Sequence, residues 1–138
     1  MEDKMLVTLP GAIVDLPTLM DKDEDDILEF GLKHNVDFIS ASYVRKASDV
    51  EYIRQLMGQK GANIRIISKI QTHEGLHNYD EILQESDGVM IMRNDLSMEI
   101  PPEKVFIAQK WMVEKANLAS KPVMFCGQIF DTMCKNAR

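Results

Sequence analysis

The segment "RIISKIQTHEG", Arg65 to Gly75, changes character twice within its length. Its isoleucines and its serine form an apolar run of the length of a β-strand that lies in a dry core. The run ends at Lys69 and Gln71, and residues 73–75, His-Glu-Gly, indicate the start of a helix. The segment therefore predicts a buried strand that carries polar side chains at its carboxyl end and leads into a helix.

The same strand and helix unit recurs along the chain. Further strand-length apolar runs are Val36 to Ser42, Asp87 to Met92 and Lys121 to Gly127, and helical patterns cover residues 22–34, 47–61, 74–86 and 101–120, with a final short helix near Gln128. Because the runs are apolar on both faces, they favour a parallel sheet covered on each side. Right-handed crossovers then predict a single α/β domain over residues 1–138, either doubly wound or part of a barrel.

Several helix positions carry specific signals. The first helical pattern places Phe30 and its apolar neighbours on a broad side that we expect to face the core. Ser48 is the predicted N-cap of the second helix, which should stop at Gly58 or Gly61. Pro102 occupies a favoured first-turn position of the long fourth helix.

Composition argues against several classes of function. The formal charge is −6 and the pI about 5.0, so a basic face for nucleic acid is not expected. With 45% apolar residues the chain can build a core, but its apolar runs stay far below the ~20 residues that cross a bilayer. The acidic amino terminus has no signal-type apolar segment, which predicts a cytoplasmic protein with Cys126 and Cys134 as reduced thiols.

Polar residues gather where the predicted strands end. In chain order they are Ser42 with Arg45, Lys69 with Gln71, Arg93 to Asp95, and Gly127 with Gln128. Because the carboxyl ends of parallel strands share one edge of a sheet, we expect these residues to converge on one rim. Taken singly, Lys69 also fits a solvated cation and Asp95 fits a helix N-cap, so only their coincidence indicates a site.

Five segments together resemble pyruvate kinase, in one register from about Leu9 to the carboxyl end. They are "LPGAIVDLP" (9–17), "SASYVRKASDV" (40–50), "IISKIQTHEG" (66–75), "SDGVMIMRNDLSMEIPPEKVFIAQK" (86–110) and "KPVMFCGQIFDTM" (121–133). The most specific feature is the combination of the strand-end lysine before "EG" with the later "EIPPEKVFIAQK".

The resemblance implies a fold and a reaction. The fold would be α/β of the parallel (β/α)8 TIM-barrel type, with only strands four to seven and their helices present, and with the lid and carboxyl-terminal regulatory domains absent. The family transfers the phosphoryl group of phosphoenolpyruvate to ADP, giving pyruvate and ATP. It uses Mg²⁺ (or Mn²⁺) and K⁺ and forms homo-oligomers in the cytoplasm.

The resemblance also implies residue roles. Lys69 matches the lysine that stands beside the transferring phosphoryl group and the enolate oxygen, where a cation stabilises developing charge. Gln71 stands at the position of a glutamate that shares the divalent ion with the aspartate matched by Asp95. Backbone N–H groups of Asn94 and Asp95 would hold the substrate carboxylate. Ser42 matches a serine near the monovalent cation.

Four rim positions depart from the family pattern. Gln71 replaces the metal-binding glutamate, Asn94 and Ser97 replace glycines, and Gly127 replaces a threonine beside the proton-delivery path. Loss of one carboxylate should weaken the Mg²⁺ site by several kcal/mol, on the order of twice the roughly 4 kcal/mol of one charge pair. Loss of the hydroxyl should slow proton transfer.

Two readings of function follow from the resemblance. In the first, the chain is part of an enzyme that acts on phosphoenolpyruvate, although the 138 residues alone should not form pyruvate. In the second, it is a non-catalytic paralogue with a structural or partner-binding role. An unrelated α/β binding module is the third possibility. Because a partial barrel leaves two strand edges unpaired, we also expect self-association of this chain.

Overall fold

The computed structural model describes residues 9–12, 15–127 and 130–136. The strands are β1 (Phe38–Ala41), β2 (Arg65–Ile70), β3 (Gly88–Met92) and β4 (Val123–Cys126). The α-helices are α1 (Asp21–Asp25), α2 (Ala47–Met57), α3 (His73–His77), α4 (Tyr79–Glu85), α5 (Arg93–Glu99) and α6 (Pro102–Leu118), with a π-helix at Asp26–Leu32 and 3₁₀ turns at Gly58–Gly61 and Asp131–Cys134. Gln128, where the last helix was expected to begin, lies outside the described residues.

The sheet confirms the predicted parallel arrangement. Its four strands run parallel in the order β1-β2-β3-β4, with Ser68 opposite Val89 and Ile91 opposite Phe125. This sequential order, without a reversal, places right-handed crossover helices on one side of the sheet. The arrangement is that of a barrel wall and differs from a doubly wound sheet, whose strand order changes direction.

The core lies between this sheet and its helices. Alternate residues of the central strands, such as Ile66, Ile70 and Ile91, are fully buried there. The hydroxyl of Tyr79 is buried as well and donates a 2.8 Å hydrogen bond to the carbonyl of Met112, so α4 is tied to α6. Burial raises the pKa of Tyr79 above its ordinary value.

The opposite face of the sheet is exposed at its edge strands. The prediction that both faces are covered is therefore correct only for the face that packs against the helices. Phe38 in β1 is 63% exposed and Met124 in β4 is 39% exposed. Within the described residues, β1 and β4 each pair with a single neighbour. The chain therefore presents one finished sheet face and one unfinished face.

Helix boundaries differ from the sequence prediction in three places. Ser48 is not the N-cap, because the Asp49 carboxylate accepts the backbone N–H groups of Arg45 and Lys46 and moves the helix start to Ala47. The helical patterns at 22–34 and 74–86 are each interrupted, the second at Asn78. Phe30, expected to face the core, is 61% exposed.

Two predicted helix features are confirmed. Helix α2 ends at Met57 beside Gly58, whose φ of +53° suits glycine, and Pro102 lies in the first turn of α6. Cys126 and Cys134 are free. Among the described residues, no helix combines the length and the apolar character that spanning a bilayer requires.

Candidate functional site

Three side-chain contacts join consecutive strand ends along the carboxyl rim of the sheet. Ser42 contacts Lys69 between β1 and β2, Gln71 contacts Asp95 between β2 and the helix after β3, and Asn94 lies against Gly127 at the end of β4. These six predicted residues thus lie on the expected rim, whereas Gln128, which was also expected there, lies outside the described residues. The structure arranges them as three neighbouring pairs.

Within the part of the chain that the structure describes, the first pair leaves a lysine ammonium with donors that no hydrogen bond uses. Because Ala41 lies opposite Ser68, the next residues, Ser42 and Lys69, lie side by side, and Lys69 Nζ donates to Ser42 Oγ at 2.9 Å. An ammonium group has three donors, and this bond uses one of them. Since side chains alternate along β2, Lys69 lies on the face opposite the buried Ile70, which is the open face of the sheet. This pair can therefore offer charge and hydrogen bonds to an anionic oxygen on that face.

The second pair is largely enclosed, and both polar atoms of the Gln71 side chain have a partner. Gln71 is 6% exposed, its Oε1 accepts the backbone N–H of Tyr43 at 2.8 Å, and its Nε2 donates to Asp95 Oδ2 at 2.6 Å. Tyr43 has a φ of +53°, an unusual conformation for a residue with a side chain. The Gln71 side chain thereby links the end of β1 to the first turn of α5.

The third pair, Asn94 and Gly127, can form because residue 127 is a glycine. Gly127 has a φ of +118°, and a Cβ placed there would stand 3.0 Å from Asn94 Oδ1 and 3.3 Å from Nδ2. The Asn94 carboxamide thus fills space that a larger residue at 127 would need. The two departures from the family pattern are in direct contact, a relation that their separation of 33 positions in sequence does not reveal.

A cavity of about 560 Å³ lies beside the middle pair. Its walls include Ser42, Gln71 and Asp95 of the predicted site, but not Lys69, Asn94 or Gly127. The guanidinium of Arg45 donates to the carbonyl of Leu16 and lies 3.5 Å from Thr18 Oγ1, which holds the segment before α1 over this space. The predicted site residues are therefore divided, since three of them line this cavity and the other three do not.

Two further residues of this cavity were not found from the sequence. Glu99 follows Asp95 by four positions in α5, a helical spacing that could have indicated it, and its carboxylate accepts the His73 N–H at 3.4 Å. Burial, with the charges of Asp95 and Glu99, raises the pKa of the Tyr43 hydroxyl above its ordinary value. The polar end of this cavity is therefore acidic.

The residues present do not fit the divalent-cation site that the family resemblance implies. Gln71 Oε1, the oxygen expected to bind metal, already accepts a backbone N–H, and Asp95 Oδ2 already accepts the amide of Gln71. Within the described ranges, no cluster of three or more His, Cys, Asp or Glu side chains is placed to hold a metal ion. Mg²⁺ is usually held by one or two carboxylates together with water and substrate oxygens, and here one of the two expected carboxylates is an amide.

Comparison with known proteins connects this rim to one family. The family described as "Pyruvate kinase, barrel domain" matches residues 1–138. A pyruvate kinase of Eimeria tenella is 56% identical over 99% of this chain, and one of Dictyostelium discoideum is 53% identical over 96%. A cytosolic pyruvate kinase isozyme of Nicotiana tabacum is 50% identical over 96% of the chain. In each case the chain spans about a quarter, 26%, of the relative's length.

Proposed function

The chain belongs to the pyruvate kinase family, and from this premise we propose that it supplies strands four to seven of a barrel that transfers the phosphoryl group of phosphoenolpyruvate to ADP. The predicted fold class, a partial TIM-type barrel with a parallel sheet, is confirmed by the strand order together with the match to the family's barrel domain. Residues 1–138 would form part of one catalytic domain, and the lid and regulatory domains would be supplied by other parts of a full-length protein.

The contact between Lys69 and Ser42 carries this proposal. The ammonium lies at the carboxyl end of a barrel strand, on the open face of the sheet, and its remaining donors point to a role with an anion. Phosphoryl transfer depends mainly on positioning and on stabilising charge that develops on oxygen, which a fixed cation supplies. In this proposal Lys69 binds the phosphoryl and enolate oxygens, while the N–H groups of Asn94 and Asp95 receive the carboxylate.

The family's cofactors are Mg²⁺ (or Mn²⁺) and K⁺, and Ser42 would neighbour the monovalent cation. The bonded state of Gln71 and the missing hydroxyl at Gly127 favour a second candidate, a non-catalytic paralogue that packs or binds a partner. Both candidates predict that the 138-residue chain alone forms no pyruvate. They differ in what the rim does when the rest of a barrel surrounds it.

A chimera separates the two candidates. The segment replaces the matching part of the Eimeria tenella relative, once unchanged and once with Gln71→Glu, Asn94→Gly and Gly127→Thr. For an enzyme-derived rim, the reverted chimera should form pyruvate in a coupled assay, and adding Lys69→Met should lower kcat by about 10²-fold or more. A Lys110→Met change on α6 is the matched control. A folded, reverted chimera without activity would reject the catalytic proposal.

The unpaired edges at β1 and β4 support a proposal about association as well. Family members form homo-oligomers, and these exposed edges should make the isolated chain self-associate. Sedimentation velocity over a dilution series should show mass above that of a monomer. A single monomeric species at all concentrations would contradict this proposal.

A further inference from the structure

The link from Tyr43 through Gln71 to Asp95 assembles the middle of the rim without an ion. We propose that the Gln71 carboxamide replaces the divalent cation of this position, so that the rim is held by hydrogen bonds and does not bind Mg²⁺. The inference rests on the proposed function for its comparison with a metal-dependent enzyme. Its chemistry rests on the contacts of Gln71 alone.

The orientation of the amide is determined at both ends. The backbone N–H of Tyr43 can only donate, so the atom that faces it at 2.8 Å must be the oxygen Oε1. An ionised Asp95 can only accept, so the atom 2.6 Å from its Oδ2 must be the nitrogen Nε2. A flipped amide would set donor against donor and oxygen against carboxylate.

The Gln71 amide also stabilises the Asp95 carboxylate electrostatically, as a bound cation would. Its N–H dipole presents positive charge to the carboxylate at short range, and the 6% exposure of Gln71 keeps water from competing for the bond. The oxygen that would bind metal has its partner in the turn after β1. From these two side chains a cation would therefore find one carboxylate whose Oδ2 is already bonded and one neutral amide oxygen that is shared with the Tyr43 N–H.

A glutamate at position 71 would have the opposite effect and create a need for a cation. One of its oxygens would still accept the Tyr43 N–H, and the other would stand where Nε2 is now, about 2.6 Å from Asp95 Oδ2. Two carboxylate oxygens at that distance cannot both carry charge without a cation or a proton between them. The single change from Glu to Gln therefore converts a site that requires an ion into one that excludes it.

The test uses the 138-residue chain and measures the thermal unfolding midpoint with and without MgCl₂ at constant ionic strength. Wild type should shift by less than about 1 °C, because there is no bound state to stabilise. Gln71→Glu should unfold at a lower temperature without Mg²⁺ and recover roughly 5 °C or more with it. Gln71→Leu, which loses both bonds, should be destabilised and remain insensitive to Mg²⁺.

Direct binding of Mn²⁺, followed by electron paramagnetic resonance, gives a second readout. Wild type and Asp95→Asn should show the same weak background, whereas Asp95→Asn in the Gln71→Glu background should abolish the gained site. Saturable Mn²⁺ binding by wild type that Asp95→Asn removes would overturn the proposal. If Gln71→Glu does not fold even with Mg²⁺, this comparison of wild type with Asp95→Asn decides the question.

The outcome does not depend on turnover. A reverted chimera that lacks activity would reject the catalytic proposal and leave the Mg²⁺ response of Gln71→Glu unchanged. Conversely, an active chimera combined with Mg²⁺ binding by the unchanged chain would keep the proposed function and reject the amide replacement.

Discussion

The two ends of the sheet both carry charged groups, and they use them differently. At the amino end of β3, Asp87 is surrounded by partners: Arg54 Nη2 and the Ile66 N–H each lie 2.8 Å from its Oδ2, and Arg65 lies 3.4 Å from Oδ1. At the carboxyl end, Lys69 makes one bond to Ser42 and faces the open side of the sheet. The charged groups at the amino end bond to one another, and we call this the closed end. At the carboxyl end, which we call the open end, the Lys69 ammonium has donors that its bond to Ser42 does not use.

This difference separates groups that hold the fold together from groups available to a ligand. In parallel barrels the amino end of the sheet serves stability, and the carboxyl end carries the chemistry. Asp87 connects β3 to β2 and to helix α2 through three neighbours, so its loss would leave partly buried donors without an acceptor. Among the described residues, Lys69 bonds only to the hydroxyl of the exposed Ser42.

The largest effect is expected at the closed end, from loss of the Asp87 carboxylate. Asp87→Ala should lower the free energy of unfolding by about 1–3 kcal/mol, because the partly buried Ile66 N–H and Arg54 guanidinium lose this acceptor. Lys69→Met, the matched change at the open end, should alter it by less than about 0.5 kcal/mol. Urea unfolding of both variants measures the difference. Equal losses would mean that the two ends are not distinct in this way.

A smaller effect should appear at the contact between Asn94 and Gly127. Gly127→Ala should cost about 1–2 kcal/mol, from a positive φ and from a Cβ placed 3.0 Å from the Asn94 carboxamide. Removing that side chain with Asn94→Gly should return at least about 0.5 kcal/mol of the loss. Gly58→Ala is the control, because Gly58 has a φ of +53° but a Cβ added to it would meet no described atom within 4 Å. The free-energy cost of Gly58→Ala should be the same with and without Asn94→Gly. If the effects of Gly127→Ala and Asn94→Gly on the free energy of unfolding were strictly additive, the contact between these two residues would be contradicted.

The smallest expected effect is a dependence of the free energy of unfolding on pH. Burial alone would raise the pKa of Asp87, but hydrogen bonds from Ile66 and Arg54 outweigh it and hold that pKa below the ordinary value. Because the folded pKa is the lower one, ionised Asp87 stabilises the fold above about pH 4, and this contribution is lost as the pH falls through the folded pKa. The difference in free energy of unfolding between wild type and Asp87→Asn should therefore narrow as the pH falls from neutral through the folded pKa. A constant difference would show that Asp87 titrates normally.

Much of the fold could be predicted because it depends on local pattern. The run around Ile66 and Ile67 has β-branched residues and a continuous apolar surface, so strand β2 was found to within a few residues. Helix starts were less predictable, since the choice between Ser48 and Lys46 as N-cap depends on where the Asp49 carboxylate reaches. The rim residues were found because strand ends in a parallel sheet share one edge.

The pairings on the rim could not be predicted in this way. That Gln71 bonds to Tyr43 and that Asn94 covers Gly127 depend on strand register and on a left-handed backbone at Tyr43. The sequence by itself determined the alternation of elements, the polar strand ends and the family motif, because periodicity and residue type act over a few neighbouring positions. Only the tertiary structure decided which side chains meet, because a hydrogen bond requires two distant residues to stand within about 3 Å of each other.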